Sequence, residues 1–177
     1  DKTPVGEITK TSRNATLTHT DGRHEKIVNG TRIYEGDIIE TDAKGAVNIK
    51  FADDSTFAVS ENARMSVDDF SFNPSDQHGS TGLSILRGVF MFTSGLIGRE
   101  NPDAVHLNTP VGSIGIRGTI IGGHIVPDGQ SQISVLEGAI VVRNGSGETI
   151  LSQQFETVHL TGYNAPISNI GTLDASG

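Results

Sequence analysis

Paired carboxylates, single histidines and glycine-rich loops are the residues of this 177-residue chain whose types could do chemistry. Asp53-Asp54 and Asp68-Asp69 offer the two acids that a glycosidase or an aspartic enzyme would use. Neighbouring residues on a strand point to opposite faces, so neither pair converges on one substrate atom. A turn explains Asp53-Asp54 better, because short carboxylates accept from turn amides. The other role for such acids is a hard cation site, since calcium gathers several oxygens. Asp42, Asp53, Asp54 and Asp76 are the candidate calcium donors, although neither EF-hand spacing nor a Gly-Gly-x-Gly-x-Asp repeat is present.

The six histidines, His19, His24, His78, His106, His124 and His159, are scattered singly and read as solvated or satisfied side chains. Without a cysteine or a Gly-x-Ser-x-Gly elbow, nucleophilic catalysis has no recognisable centre. Gly95 to Gly98 and Gly112 to Thr119 lack the Gly-Lys-Ser/Thr ending of a phosphate loop, and their flanks are strand-like. Arg117 is the one cation in the second of these stretches; it is expected to fan hydrogen bonds to carbonyls or a carboxylate at a strand corner. These residues together predict a chain that is not an enzyme and holds no cofactor, calcium being the one candidate exception.

The elements that position these residues are strands. Ile (18), Val (13) and Thr (17) outnumber Leu (9) and Ala (10), a balance that favours residues stiff at χ1 over good helix formers. Apolar residues recur at period two in Val47, Ile49, Phe51 and again in Phe57, Val59, while no stripe of period 3.6 lasts ten residues. Turn signals such as Asp21-Gly22, Asn29-Gly30, Asp42 to Gly45 and Asn144-Gly145 separate these runs. Ser60 to Arg64 is short enough for one helical turn, Asn73 to Gly82 reads as a mobile surface loop, and Gly88 to Phe92 reads as a strand buried on both faces. Ala15 to Gly22 and Ala139 to Gly145 are two similar strand-and-turn units. The expectation is an all-β domain of short strands with little or no helix, either β-helix-like (solenoid-like) or a β-sandwich.

A net charge of −8 argues against nucleic acid as a partner. No run of about 18 apolar residues suggests direct membrane insertion. The expected organisation is an N-terminal arm over residues 1–12, a β domain over 13–161, and a C-terminal arm or linker over 162–177.

Several stretches together resemble the FecR domain family. They are Gly30-x-x-Ile33-x-x-Gly36-Asp37-x-Ile39-x-Thr41, Val47-x-Ile49-x-Phe51-x-Asp53-Asp54-Ser55, Leu86-x-Gly88-x-Phe90 and, most specifically, Thr109-Pro110-Val111-Gly112-Ser113-Ile114-Gly115-Ile116-Arg117-Gly118-Thr119. The resemblance covers roughly residues 5–160, with Gly36, Asp37, Thr109, Pro110, Gly115, Arg117, Gly118 and Thr119 as its structural motif residues. Asp53-Asp54-Ser55 departs from the family's Asp-Gly-Ser, and Ser152-Gln153-Gln154 from its Gly-Gln.

One branch of that family sits in large secreted or surface proteins of Gram-negative bacteria, near adhesin-type repeats. This branch implies an extracellular structural module of a surface or biofilm-matrix protein, whose partners are neighbouring domains or copies of itself. Its end arms would build filaments by strand addition. The alternative implied by the family is a periplasmic signalling domain of the anti-sigma regulator type.

Overall fold

In the computed structural model, which describes residues 3–12 and 14–172, the alternation predicted from sequence becomes a run of strands. They are β1 (Gly6–Ser12), β2 (Ala15–Thr18), β3 (His24–Lys26), β4 (Arg32–Ile33), β5 (Ile38–Thr41), β6 (Ala46–Phe51), β7 (Thr56–Val59) and β8 (Arg64–Asn73). After them come β9 (His78–Thr93), β10 (Val105–Thr109), β11 (Gly112–Ile125), β12 (Ser131–Asn144), β13 (Gly147–Leu151), β14 (Glu156–Leu160) and β15 (Ser168–Thr172). The polar connection from Ser94 to Asp103 holds a short helix α1 (Leu96–Glu100) and a 3₁₀ turn over Pro102–Ala104. The all-β expectation is therefore met. Among the described residues no helix is long and apolar enough to cross a membrane.

The strands form one hydrogen-bonded system, β15-β14-β12-β11-β10-β9-β7-β6-β1-β4, which does not close on itself. β13 adds to β12, and a branch β3-β2-β5-β8 joins through β8 and β9. Of the strand pairs, β9 with β10 is parallel and the others are antiparallel, so the strands do not stack as the parallel coils of a solenoid. Strand β9 connects the two regions, its first half lying against β8 and β10 and its second half against β7 and β11. Gly88 marks the change. Its φ is +110°, and a Cβ there would lie 2.6 Å from the Cβ of Ala63, so a glycine is required where the strand passes its neighbour.

A single core cluster runs from Ile8 to Leu160. Val47, Ile49 and Phe51 on β6 and Phe57 and Val59 on β7 all point into it. Phe51 stacks on Phe70 at 5.4 Å and Phe57 on Phe90 at 5.8 Å. Each such side chain contributes about 1.5–3 kcal/mol through burial.

Three local expectations are corrected. The run Gly88 to Phe92 is not buried on both faces: Phe90 and Phe92 are inside, whereas Val89 and Met91 are 45% and 46% exposed. Asn73 to Gly82 is not a long loop, because β8 and β9 continue through it and pair Ser71 with Ser80 and Phe72 with Gly79. Only residues 74–77 turn, held by Asn73 Oδ1 accepting from Ser75 N and Asp76 Oδ1 accepting from His78 N. Within Ser60 to Arg64 no helical turn forms: the chain turns at Glu61 and Asn62, the latter at φ +53°, and Arg64 already opens β8.

Both end segments enter the sheet of their own chain. β1 lies between β4 and β6, and β15 pairs with β14. Leu173 and the residues after it, also assigned to the C-terminal arm, lie outside the described residues.

Candidate functional site

The Asp21-Gly22 turn folds β3 back on β2, with His19 N donating to Arg23 O and Gly22 N to His19 O. That turn places His19 just beyond β2, and its ring reaches between two carboxylates. Nε2 lies 2.6 Å from Glu25 Oε2, and Nδ1 lies 3.0 Å from Asp37 Oδ1. The side chain of His19 is 9% exposed and that of Asp37 1%. Asp37 also accepts from Tyr34 N through Oδ2 at 2.8 Å, which closes the turn ahead of β5. Tyr34 meets the His19 ring edge-on at 6.1 Å. The bond to Glu25 holds the imidazole above its ordinary pKa, burial opposes this, and the bond to Asp37 adds to the rise. The imidazolium is thus favoured more than in a free histidine. Because His19 stands between the two acids, the three do not face a common point as metal ligands would.

This network forms the wall of an open cleft of about 790 Å³. Arg23 and Arg32 line the same cleft, the first in an exposed ion pair with Asp21 at 2.8 Å. The sequence singled out Gly36 and Asp37 here and missed His19 and Glu25. Their signal was faint, a histidine and a glutamate on either side of a tight turn, six residues apart and diagonal to one another once the hairpin closes with Leu17 opposite Glu25.

The other motif residues lie in a different part of the fold, where Thr109, Gly118 and Thr119 shape the backbone. Thr109 Oγ1 donates to Gly112 O at 2.7 Å and accepts from Val111 N and Gly112 N, so it ties the turn between β10 and β11, with Pro110 exposed. Thr119 is buried, and its single hydroxyl proton is shared between Glu137 O at 2.8 Å and Ala139 O at 3.1 Å. Ser94 completes this knot, its Oγ accepting from Thr119 N and its N–H donating to Thr119 O. Gly118 occupies the bulge of β11 just before Thr119. A Cβ on Gly115 would meet nothing within 4 Å. Arg117 is 59% exposed and, of the carbonyls or carboxylate expected as its partners, meets the Asp103 carboxylate in a loose ion pair at 3.9 Å.

The calcium donors are likewise dispersed. Asp53 is buried and spent locally, accepting from Ser55 N and Ser55 Oγ and, at 3.3 Å, from Ile97 N at the start of α1. Asp54 is exposed beside Lys50, Asp76 caps its own turn, and Asp42 is exposed at the turn before β6. Among the described residues no three His, Cys, Asp or Glu side chains are grouped to hold a metal ion. The proposed grouping of Asp42, Asp53, Asp54 and Asp76 is corrected on that ground.

The family model described as FecR protein matches residues 37–141, more than half of the chain. Two crystal structures of a protein from Parabacteroides distasonis ATCC 8503, provisionally described as an anti-sigma factor, share the fold. Their TM-scores are 0.62 and 0.63 at 14% and 13% identity, over 76% of this chain. The chain spans 59% of the length of those structures. A cell surface anchoring domain reaches a TM-score of only 0.34, below what a shared fold requires. No curated protein matches the sequence.

Proposed function

Since the chain belongs to the FecR protein family, we propose that it is a periplasmic signalling domain of the anti-sigma regulator type. The observation that carries this reading is the family match itself, which runs from Asp37 beside the cleft to Val141 on β12. The fold shared with the structures described as an anti-sigma factor supports it. The extracellular structural module implied by the surface-protein branch is thereby corrected. Family and fold neighbours favour signalling, and the segments meant to join neighbouring copies are already paired as β1 and β15.

In this reading the domain works by binding protein, without a reaction of its own. Its polar clusters suit that role. The bonds around Thr119, Thr109 and Asp53 hold turns in place, and the cleft beside β2 and β3 presents charged groups outward.

Removing the coding segment for this chain from its gene in the native cell tests the proposal. A changed transcript level for a small set of genes under one alternative sigma factor is expected. An unaltered transcript profile overturns the reading. Protease added to intact cells is expected to spare the domain until the outer membrane is permeabilised, and digestion in intact cells would refute the periplasmic location.

A further inference from the structure

The cleft beside the β2–β3 hairpin has a property that the His19 network does not explain. Most of its charged groups are already committed. Arg23 is paired with Asp21, and His19 with Glu25 and Asp37. Arg32 and the Tyr34 hydroxyl are different: among the described residues neither has a hydrogen-bond or ion-pair partner. Glu7 lies opposite Arg32 across β1 and β4, yet forms no ion pair with it. Arg32, whose guanidinium carries five donors in a fixed fork, thus lines one concave site together with Tyr34. The site is built and not a chance gap between mobile chains. Asp37 holds the Tyr34 backbone, and the His19 ring edge meets the Tyr34 ring.

The charge balance narrows what can enter. Arg23, Arg32 and, when protonated, His19 between its two carboxylates supply up to three positive charges, and Asp21, Glu25 and Asp37 three negative ones. A dianion such as phosphate would meet three carboxylates, and a simple cation would meet Arg32. A molecule carrying both charges meets neither penalty. Its carboxylate can take the free guanidinium bidentately. Its ammonium has the exposed side of Glu25, whose side chain is 47% accessible. A volume of about 790 Å³ is ample for such a molecule and lies within the range of small-ligand pockets.

We infer that this cleft binds a small zwitterion, a free α-amino acid or a short peptide, with its carboxylate held by Arg32 and Tyr34. The inference goes beyond the signalling role and stands on this geometry alone. Its failure leaves the transcript experiment above untouched.

The test is a titration of the 177-residue chain followed by amide NMR shifts, with alanine in one arm and trialanine in the other. Saturable shifts at Thr20, Gly30, Arg32 and Tyr34 are expected in at least one arm, and the arm that saturates identifies the source. Trialanine amide, which lacks the carboxylate, should bind at least about tenfold more weakly, the loss expected for a charge-assisted hydrogen bond. Arg32→Gln should weaken binding to a similar extent and leave the rest of the spectrum unchanged. Tyr34→Phe, which removes only the hydroxyl, should weaken it less. Absence of saturation in both arms overturns the inference. So does equal binding of the amide, unchanged binding by Arg32→Gln, or tighter binding of inorganic phosphate than of either zwitterion.

Discussion

Two regions of the molecule carry the chain's distinctive spacings, and they are built from opposite chemistry. At the cleft, Asp37 belongs to a charged network that joins the β2–β3 hairpin to the turn before β5, and part of it faces water. Around Thr119, the bonds of Ser94, Thr119 and the carbonyls of Glu137 and Ala139 are neutral and enclosed. The comparison teaches that a distinctive spacing marks a demand of the backbone. The long motif from Thr109 to Thr119 sets a tight turn and a bulge in two long paired strands. Chemistry available to a ligand lies instead with residues that have no spacing signature, His19, Glu25 and Arg32.

The largest effect that tests this division is expected at Gly138. It has φ +88°, and a Cβ there would fall on the Thr119 hydroxyl and lie 2.5 Å from Gly118 O. Gly138→Ala should cost about 3 kcal/mol, combining a left-handed strain with displacement of a buried bond. Gly115→Ala, inside the motif whose bulge Gly138 faces but with open space around it, should stay within about 0.5 kcal/mol of the parent. Urea midpoints at unchanged slope measure both. Equal losses at the two positions would mean that the motif does not act through the bulge.

The charged region should respond differently. Asp37→Ala leaves Tyr34 N without its acceptor and His19 without one of its two partners, at a cost of about 2–3 kcal/mol. A smaller effect separates the regions by pH. His19 titrates in the folded chain above its ordinary value of 6.5, so the folded state binds the proton more tightly than the unfolded chain does. The stability it contributes is complete below that ordinary value and is lost as pH rises through the folded value. The stability difference between the parent and His19→Gln should therefore shrink from about pH 6 to about pH 8. For Thr119→Val the same difference should not depend on pH in that window. A flat difference for His19→Gln would remove the imidazolium from the cleft.

The sequence made strands legible because period two survives wherever one face is buried, as in Val47, Ile49, Phe51. It misled where period two was masked. Val89 and Met91 are apolar yet face outward, so a half-buried strand looked like a fully buried one. Asn73 to Gly82 lacks an apolar face because the end of the β8–β9 hairpin projects with both faces largely exposed, so its ladder left no trace in hydrophobicity. The cleft was legible only through Asp37. His19 and Glu25 come together through the closing of one hairpin, and Asp37 joins them through the pairing of β2 with β5, which local composition does not encode. The calcium grouping failed for a related reason: a short carboxylate at a turn satisfies its own amides first.

The smallest effect concerns the turn between β6 and β7, where Asp53-Asp54-Ser55 replaces the family's Asp-Gly-Ser. Asp54 has φ +69°, the region in which glycine is unstrained, so the backbone has kept the glycine conformation with an aspartate in place. Asp tolerates this region better than most residues because its short side chain can bond locally. Glycine would relieve the remaining strain but add freedom to the unfolded chain, and the two terms nearly cancel. The ion pair with Lys50 is exposed on both sides and adds little. Asp54→Gly should thus lie within about 0.5 kcal/mol of the parent, whereas Asp54→Ala, which has neither glycine's freedom nor a local bond, should lose about 1 kcal/mol. If alanine and glycine proved equal in urea unfolding, the left-handed turn would not be what the family's glycine serves. The close packing of Asp53 against Ser55 and α1 would then have to account for it.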